Sequence, residues 1–301
     1  MANDFVKDRL LELFGDNKFL CAESVVQVIA EAGGRESRDV VRAATGFCSG
    51  MSRTRGQCGA VSGAVMGIGL YAGRGEAGED HEACYALVQE LLDRFDDRFG
   101  SINCFELIQC DFTDTDDKAR YRRDNLRRDC YRMAVFAAET ALSILREHGY
   151  LPDEADWIKS RLAPCGLLCG QCAAFADGPI HRASRELRDQ LGPNFAAYAE
   201  RFEAMNPVFA GYPAFAELLG FLAKGSCTGC REQGCLFQAC KVPGCAGTHG
   251  VDYCFECEKF PCDEHGMPGR LGDVWRANNE KMRGCGAAKW YRKLKDKPRY
   301  P

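Results

Sequence analysis

Twelve of the nineteen cysteines of this 301-residue chain lie between Cys165 and Cys285, most of them at metal-ligand spacings. The series runs Cys165-x3-Cys169-x2-Cys172, then Cys227-x2-Cys230-x4-Cys235-x4-Cys240-x4-Cys245, then Cys254-x2-Cys257-x4-Cys262, with Cys285 beyond. A two-residue gap lets both thiolates of one turn reach the same ion, which is why such pairs recur in zinc and iron–sulfur sites. Three such pairs in one stretch predict a metal-binding domain over residues 155–301, with all twelve cysteines as candidate ligands. Four-cysteine sites accept both metals, so zinc and an iron–sulfur cluster both stay open as the cofactor.

Within that series Cys227/Cys230 and Cys254/Cys257 form C-x2-C-x23-C-x2-C, a zinc-ribbon spacing with a long loop. Cys235, Cys240, Cys245, Cys262 and Cys285, with the 165–172 group, suffice for a second and a third site. His249 and His265 read as loop histidines before they read as ligands. The spacing of Cys165, Cys169 and Cys172 also occurs in radical-SAM clusters, but only 129 residues follow Cys172. That is too few for most of a barrel of roughly 250 residues.

The amino terminus (1–13) mixes acids and bases and has no apolar core, so no signal peptide is expected. The apolar-leaning run 60–72 is too short and glycine-rich to span a bilayer. A cytoplasmic location follows as the expectation, and there thiols stay reduced and serve as ligands or redox groups, not disulfides. Residues 1–154 hold 19 bases against 27 acids (net −8) and residues 155–301 hold 20 against 16 (net +4). Two ions with four thiolates each would cancel that +4, so nucleic acid is not the expected partner. The basic tail 289–299 reads as a solvated terminal segment.

Residues 1–150 predict a helical domain, so the whole chain reads as mainly α: a helical bundle, then a helical and loop-rich cysteine domain. Cys21, Val25, Val28, Ile29 and Ala32 share a helix face that ends at Gly33-Gly34. Asp80 is placed to cap a helix bearing Leu87, Leu91 and Phe95, and Ser101 one bearing Cys104 and Ile108. A long helix is expected from the acidic stretch 111–117 to His148, with Leu126, Cys130, Ala134, Ala137 and Ala141 inward. In CGAVSGAVMGIG, Gly59, Gly63 and Gly67 recur every four residues, a flat face for close backbone approach. Three segments (181–191, 195–205 and 214–223) are expected as helices in the second domain, and from Lys224 the chain reads as loop held by metal.

Cys58 opens the glycine helix, with Arg53 and Arg55 just upstream. A helix start and nearby cations both favour the thiolate, so Cys58 is the candidate reactive thiol or ligand. Cys21 and Cys104 also sit near helix starts, and Cys130 faces inward. These four form the candidate catalytic, redox or cluster site, while Cys48, Cys84 and Cys110 read as small buried residues.

Two family resemblances attach to these residues. Cys21, Cys58 within CGAVSG, Cys104 within INCFEL and Cys130, over residues 5–148, resemble the C_GCAxxG_C_C family of redox-active proteins, although the chain has Cys-Gly-Ala where the name has Gly-Cys-Ala. That resemblance implies an all-helical domain with a redox-active, cluster-competent cysteine site. CGLLCGQC, CTGC and CFECEKFPC, over residues 160–290, resemble the cysteine-rich domain of unknown function 3795, which implies a zinc or iron–sulfur domain without assigning a substrate. The expected function is a redox-active metalloprotein, for electron transfer or thiol chemistry, with a redox partner protein and no membrane. The alternative is a non-enzymatic zinc protein that binds a partner or nucleic acid through its second domain. P-loop, dinucleotide, His-Glu-x-x-His and Gly-x-Ser-x-Gly motifs are absent, so the sequence names no enzyme class.

Overall fold

The computed structural model describes residues 3–35, 38–295 and 297–300. Met1 and Ala2 of the amino-terminal stretch and Asp296 of the basic tail lie outside the described residues. Among those described, the chain is mainly α-helical, without strands; its only β pairing is three isolated bridges. No described helix is long and apolar enough to cross a membrane. The chain divides into two compact units between Glu154 and Ala155.

Unit 1 contains α1 (Asn3–Leu10), α2 (Cys21–Ala32), α3 (Arg38–Ala44), α4 (Gly59–Ala72), α5 (Glu82–Phe99), α6 (Cys104–Ile108), α7 (Thr115–Arg123) and α8 (Arg127–Glu147). Its core joins the apolar faces of α2, α4, α5 and α8, including Val25, Ile29, Val61, Ile68, Leu91, Phe95, Ala137 and Ile144. The glycine face of α4 explains how closely α2 approaches. A Cβ on Gly63 would lie 2.5 Å from the Ala22 carbonyl oxygen, and one on Gly67 would lie 2.5 Å from Ile29 Cδ1. A Cβ on Gly59 would run into the Cys21 sulfur. The glycines give up helix propensity, and in return the first turns of α2 and α4, with Cys21 and Cys58, stand together.

Two local expectations differ from the structure. The helix after residue 103 is capped by Asn103, whose side chain accepts from the Phe105 and Glu106 amides at 2.9 and 3.2 Å; Ser101 instead donates to Glu106. The long helix expected up to His148 is two helices, broken where Asn125 takes φ 51°. The chain entering α4 is left-handed, a feature the sequence did not announce: residues 49–53 all have positive φ, from 45° to 72°. Left-handed turns cost L-residues about 1–2 kcal/mol each, so the surrounding packing must hold this one. Gly50 occurs where a Cβ would press on Cys104, 2.7 Å from its Cβ.

Unit 2 adds α9 (Glu154–Arg161), α10 (Pro179–Leu191), α11 (Phe195–Glu203), α12 (Tyr212–Lys224), α13 (Cys230–Gln233), α14 (Val242–Thr248), α15 (Gly269–Cys285) and α16 (Ala287–Lys295). The stretch after Lys224 is thus not loop throughout. Trp275 and Met282 on α15 are 1 % and 0 % exposed, and Trp290 on α16 is buried beside Met282. Glycines 269, 272 and 284 and a polar run hide this face in the sequence, where its apolar residues stand one per turn or fewer. The tail does not float: Trp290 donates to the Gly166 carbonyl at 3.2 Å, and Tyr300 reaches back to the Cys172 sulfur at 3.5 Å.

Candidate functional site

Four helix beginnings meet at one cavity of about 110 Å³ in unit 1. Cys21 is the first residue of α2, Cys58 caps α4, Cys104 opens α6 and Cys130 lies in the first turn of α8. All four line the cavity, among apolar walls that include Phe14, Leu107 and Met133. An antiparallel bridge between Gln57 and Asn103 fixes two of them. Cys58 N donates to Ile102 O at 2.8 Å, and Cys104 N donates to Gly56 O at 2.9 Å. Backbone pairing therefore sets Cys58 beside Cys104 across 46 residues of chain.

The electrostatics of this cavity oppose one another. The helix beginnings turn their positive ends toward it, which favours negative charge there. Burial works against charge and dominates. It pushes Cys58 up to about 11, although the Ala60 and Val61 amides pull the other way. Burial, with Cys58 and Cys130 close by, pushes Cys104 to about 12, and burial also raises Cys130. The expectation of a lowered Cys58 fails in this respect. Arg55, expected to support the thiolate, instead bonds Asp111 and lies over Phe105 at 5.1 Å. Thr113 first, then Arg55, holds the Asp111 carboxyl well below the usual range.

The cation at the cavity is Arg127, the first residue after the helix break. Its guanidinium stacks on Phe14 at 4.1 Å and donates to the Phe14 carbonyl, and its Nε is buried without a partner. On the other side of the break, Tyr121 lines the cavity and donates to the Cys130 sulfur at 3.6 Å. Sequence reasoning singled out neither residue, since it ran one helix from the acidic stretch 111–117 to His148. Asn125 was the available signal, as a residue that tolerates left-handed backbone between two helical runs. Cys48 was also set aside. Its thiol donates weakly to the Ala44 carbonyl at 3.7 Å and faces that of Cys21, a contact that, with burial, raises its pKa far above the ordinary thiol value. Cys84 packs partly buried against the core, and Cys110 donates to the Asp117 carbonyl at 3.6 Å.

In unit 2 the cysteines divide into two neighbourhoods. Cys169 faces Cys230, Cys240 faces Cys235, and Cys172 and Cys227 stand near Cys169. A bridge between Phe175 and Cys227 joins the first and second series, with Ala176 N donating to Cys227 O at 2.8 Å. The other neighbourhood rings a second cavity with Cys245, Cys254, Cys257 and Cys262. Cys165 is buried between them, near Cys169, Cys240 and Cys254. The ribbon pairing of 227/230 with 254/257 is therefore not the arrangement found, since those two pairs belong to different neighbourhoods. Cys285 stands with neither; it ends α15 beside Met282 and Trp290. Among the described residues, no three His, Cys, Asp or Glu side chains already converge at single-ion distance.

Residues 19–144 match the family described as Putative redox-active protein (C_GCAxxG_C_C). Residues 161–267 match the family described as Protein of unknown function (DUF3795). Both agree with the resemblances in the sequence, and the first match contains all four cavity cysteines. No curated protein and no solved structure matches the chain.

Proposed function

We infer that this chain is a redox protein whose amino-terminal unit holds an iron–sulfur cluster on Cys21, Cys58, Cys104 and Cys130. One observation carries this: four thiols, each at the start of a different helix, line one buried cavity. At about 110 Å³ the cavity is several times the ~10–15 Å³ that one water needs, which suits a multi-atom group better than a lone ion. The donor set also fits, since thiolates are the usual ligands of such clusters. When bound, the cluster supplies one-electron redox chemistry.

The protein's own part is electrostatic. Cys58, Cys104 and Cys130, raised by burial, stay protonated until an electrophilic metal displaces the proton, so they suit ligation better than thiol exchange. The converging helix ends and Arg127 offset the negative charge that four thiolates bring. Tyr121 donates to the Cys130 sulfur, an interaction of the kind that tunes cluster potentials. The apolar walls keep water from the sulfurs. A second protein that exchanges electrons, in a reducing cytoplasm, is the partner this chemistry needs, and metal centres on the second unit's cysteines complete the reading. Anaerobic purification from an iron-supplied host tests it: brown protein with iron and acid-labile sulfide is expected, and the amino-terminal share should vanish in Cys58→Ser and Cys104→Ser. Colourless protein with intact thiols would overturn it.

A second reading, dithiol redox chemistry, is favoured by the Cys48 thiol facing Cys21. It predicts a Cys21–Cys48 disulfide after treatment with a small-molecule disulfide oxidant, detectable by mass mapping.

A further inference from the structure

The cavity ringed by Cys245, Cys254, Cys257 and Cys262 is the more specific in its dimensions. It holds about 20 Å³, close to the space of a single water-sized sphere. Its sulfurs come from one short stretch: Cys245 on α14, Cys254 and Cys257 at the two ends of a tight turn, and Cys262 just after it. Cys257 N donates to Cys254 O at 3.1 Å, which curls the pair into a knuckle.

Two further features bear on what the cavity takes. The indole of Trp275 is 1 % exposed, and its Nε1–H is buried without a hydrogen-bond partner. That N–H is turned toward the Cys254 sulfur. An unpartnered buried donor close to a sulfur is stabilised when that sulfur becomes a thiolate, the stronger acceptor. His249 and His265 also line the cavity, and His265 does not compete as a ligand. His265 Nδ1 accepts the Met267 amide at 2.9 Å, so the neutral ring keeps its proton on Nε2 and has no lone pair left for a metal. His265 packs on Trp275 with ring centroids 4.5 Å apart and serves as part of the wall.

We propose that Cys245, Cys254, Cys257 and Cys262 form a four-thiolate site for a single tetrahedral ion, zinc or iron, separate from the Cys169/Cys172/Cys227/Cys230 neighbourhood. This deepens the metal reading of the second unit and does not depend on the amino-terminal cluster. The cavity is too small for a multi-iron group, while metal–sulfur bonds of about 2.3 Å place one ion at its centre after modest side-chain rotation. On loading, each thiol that ligates loses a proton to solvent and no electron is transferred. Trp275 is a positioning residue that holds Cys254 in orientation.

The test is anaerobic Co²⁺ titration of the reduced, metal-free full chain, read by thiolate-to-cobalt charge-transfer absorption. Cys257→Ser should lose one ion equivalent that Cys230→Ser retains. Trp275→Phe should keep the equivalent with weaker binding. In case serine disrupts folding, Cys262→His keeps four ligands, and should retain the ion while losing about a quarter of that band, one thiolate in four. The proposal is overturned if Cys257→Ser binds as many ions as the parent, if Cys230→Ser and Cys257→Ser remove the same equivalent, or if natively loaded Cys257→Ser loses several irons with sulfide. Failure of the amino-terminal cluster would show separately, as no change in iron in Cys58→Ser.

Discussion

Gly63→Ala tests the packing that sets Cys21 against Cys58. A Cβ there would lie 2.5 Å from the Ala22 carbonyl oxygen and 2.9 Å from its Cα, about 0.9 Å inside ordinary contact for the oxygen. The obstructing atoms are backbone, so no rotamer relieves the clash and α2 must move away from α4. A gap of 0.5–1 Å forfeits roughly a quarter to a half of the dispersion attraction across an interface. Overpacking costs ~1–3 kcal/mol, and this site belongs at the upper end. Alanine returns about 1 kcal/mol of helix propensity, which leaves a net loss of about 2 kcal/mol. Gly69→Ala in the same helix meets nothing within 4 Å and should gain up to ~1 kcal/mol. The three tryptophans, 157, 275 and 290, all lie in unit 2, so their fluorescence reports that unit alone. Urea unfolding followed by circular dichroism and by fluorescence therefore separates the units. Gly63→Ala should move only the dichroism transition and lower iron retention. A variant as stable as Gly69→Ala would refute the close-packing argument.

Other outcomes follow from the same geometry. In reconstituted protein, Arg127→Gln should shift the cluster potential negative by on the order of 50 mV, near the ~59 mV of a tenfold one-electron effect, while Arg127→Lys restores most of it; voltammetry reads both. Cys84→Ser should leave metal content unchanged and cost only modest packing stability by thermal melt, whereas Cys104→Ser should lose iron. Arg94 and then Ser143 hold the Glu147 carboxyl down to about 2. Its folded pKa is depressed, so the stabilisation is present above the ordinary carboxylate pKa of about 4.3 and is lost as pH falls toward 2. Glu147→Gln should flatten the unit 1 melting profile across that window, by little, because the pair is largely exposed.

What could be read from the sequence was local. The face of α2, its end at Gly33, and the three glycines of α4 are written in spacings of three and four, and the structure repeats them. The inward direction of Cys130 followed from the same periodicity. What escaped depends on residues far apart. Arg127 meets Phe14 across 113 positions, and no window of sequence shows that this arginine, not Arg53 or Arg55, reaches the cavity. The helix was expected to run through residues 124–126, yet the break there turns Tyr121 and Arg127 inward, and the left-handed turn at 49–53 lets Gly50 pass Cys104. Local rules give way where the cavity walls are built. In unit 2 the even cysteine spacing suggested one ribbon, but the Phe175–Cys227 bridge draws Cys227 and Cys230 toward the first series, leaving Cys254 and Cys257 to Cys245 and Cys262.

The central claim concerns what lies among Cys21, Cys58, Cys104 and Cys130. Crystals grown without oxygen and measured on both sides of the iron absorption edge answer it directly. An anomalous peak inside the cavity, bonded to those four sulfurs, is the predicted result. Water there, with four protonated thiols or a Cys21–Cys48 disulfide, would contradict it.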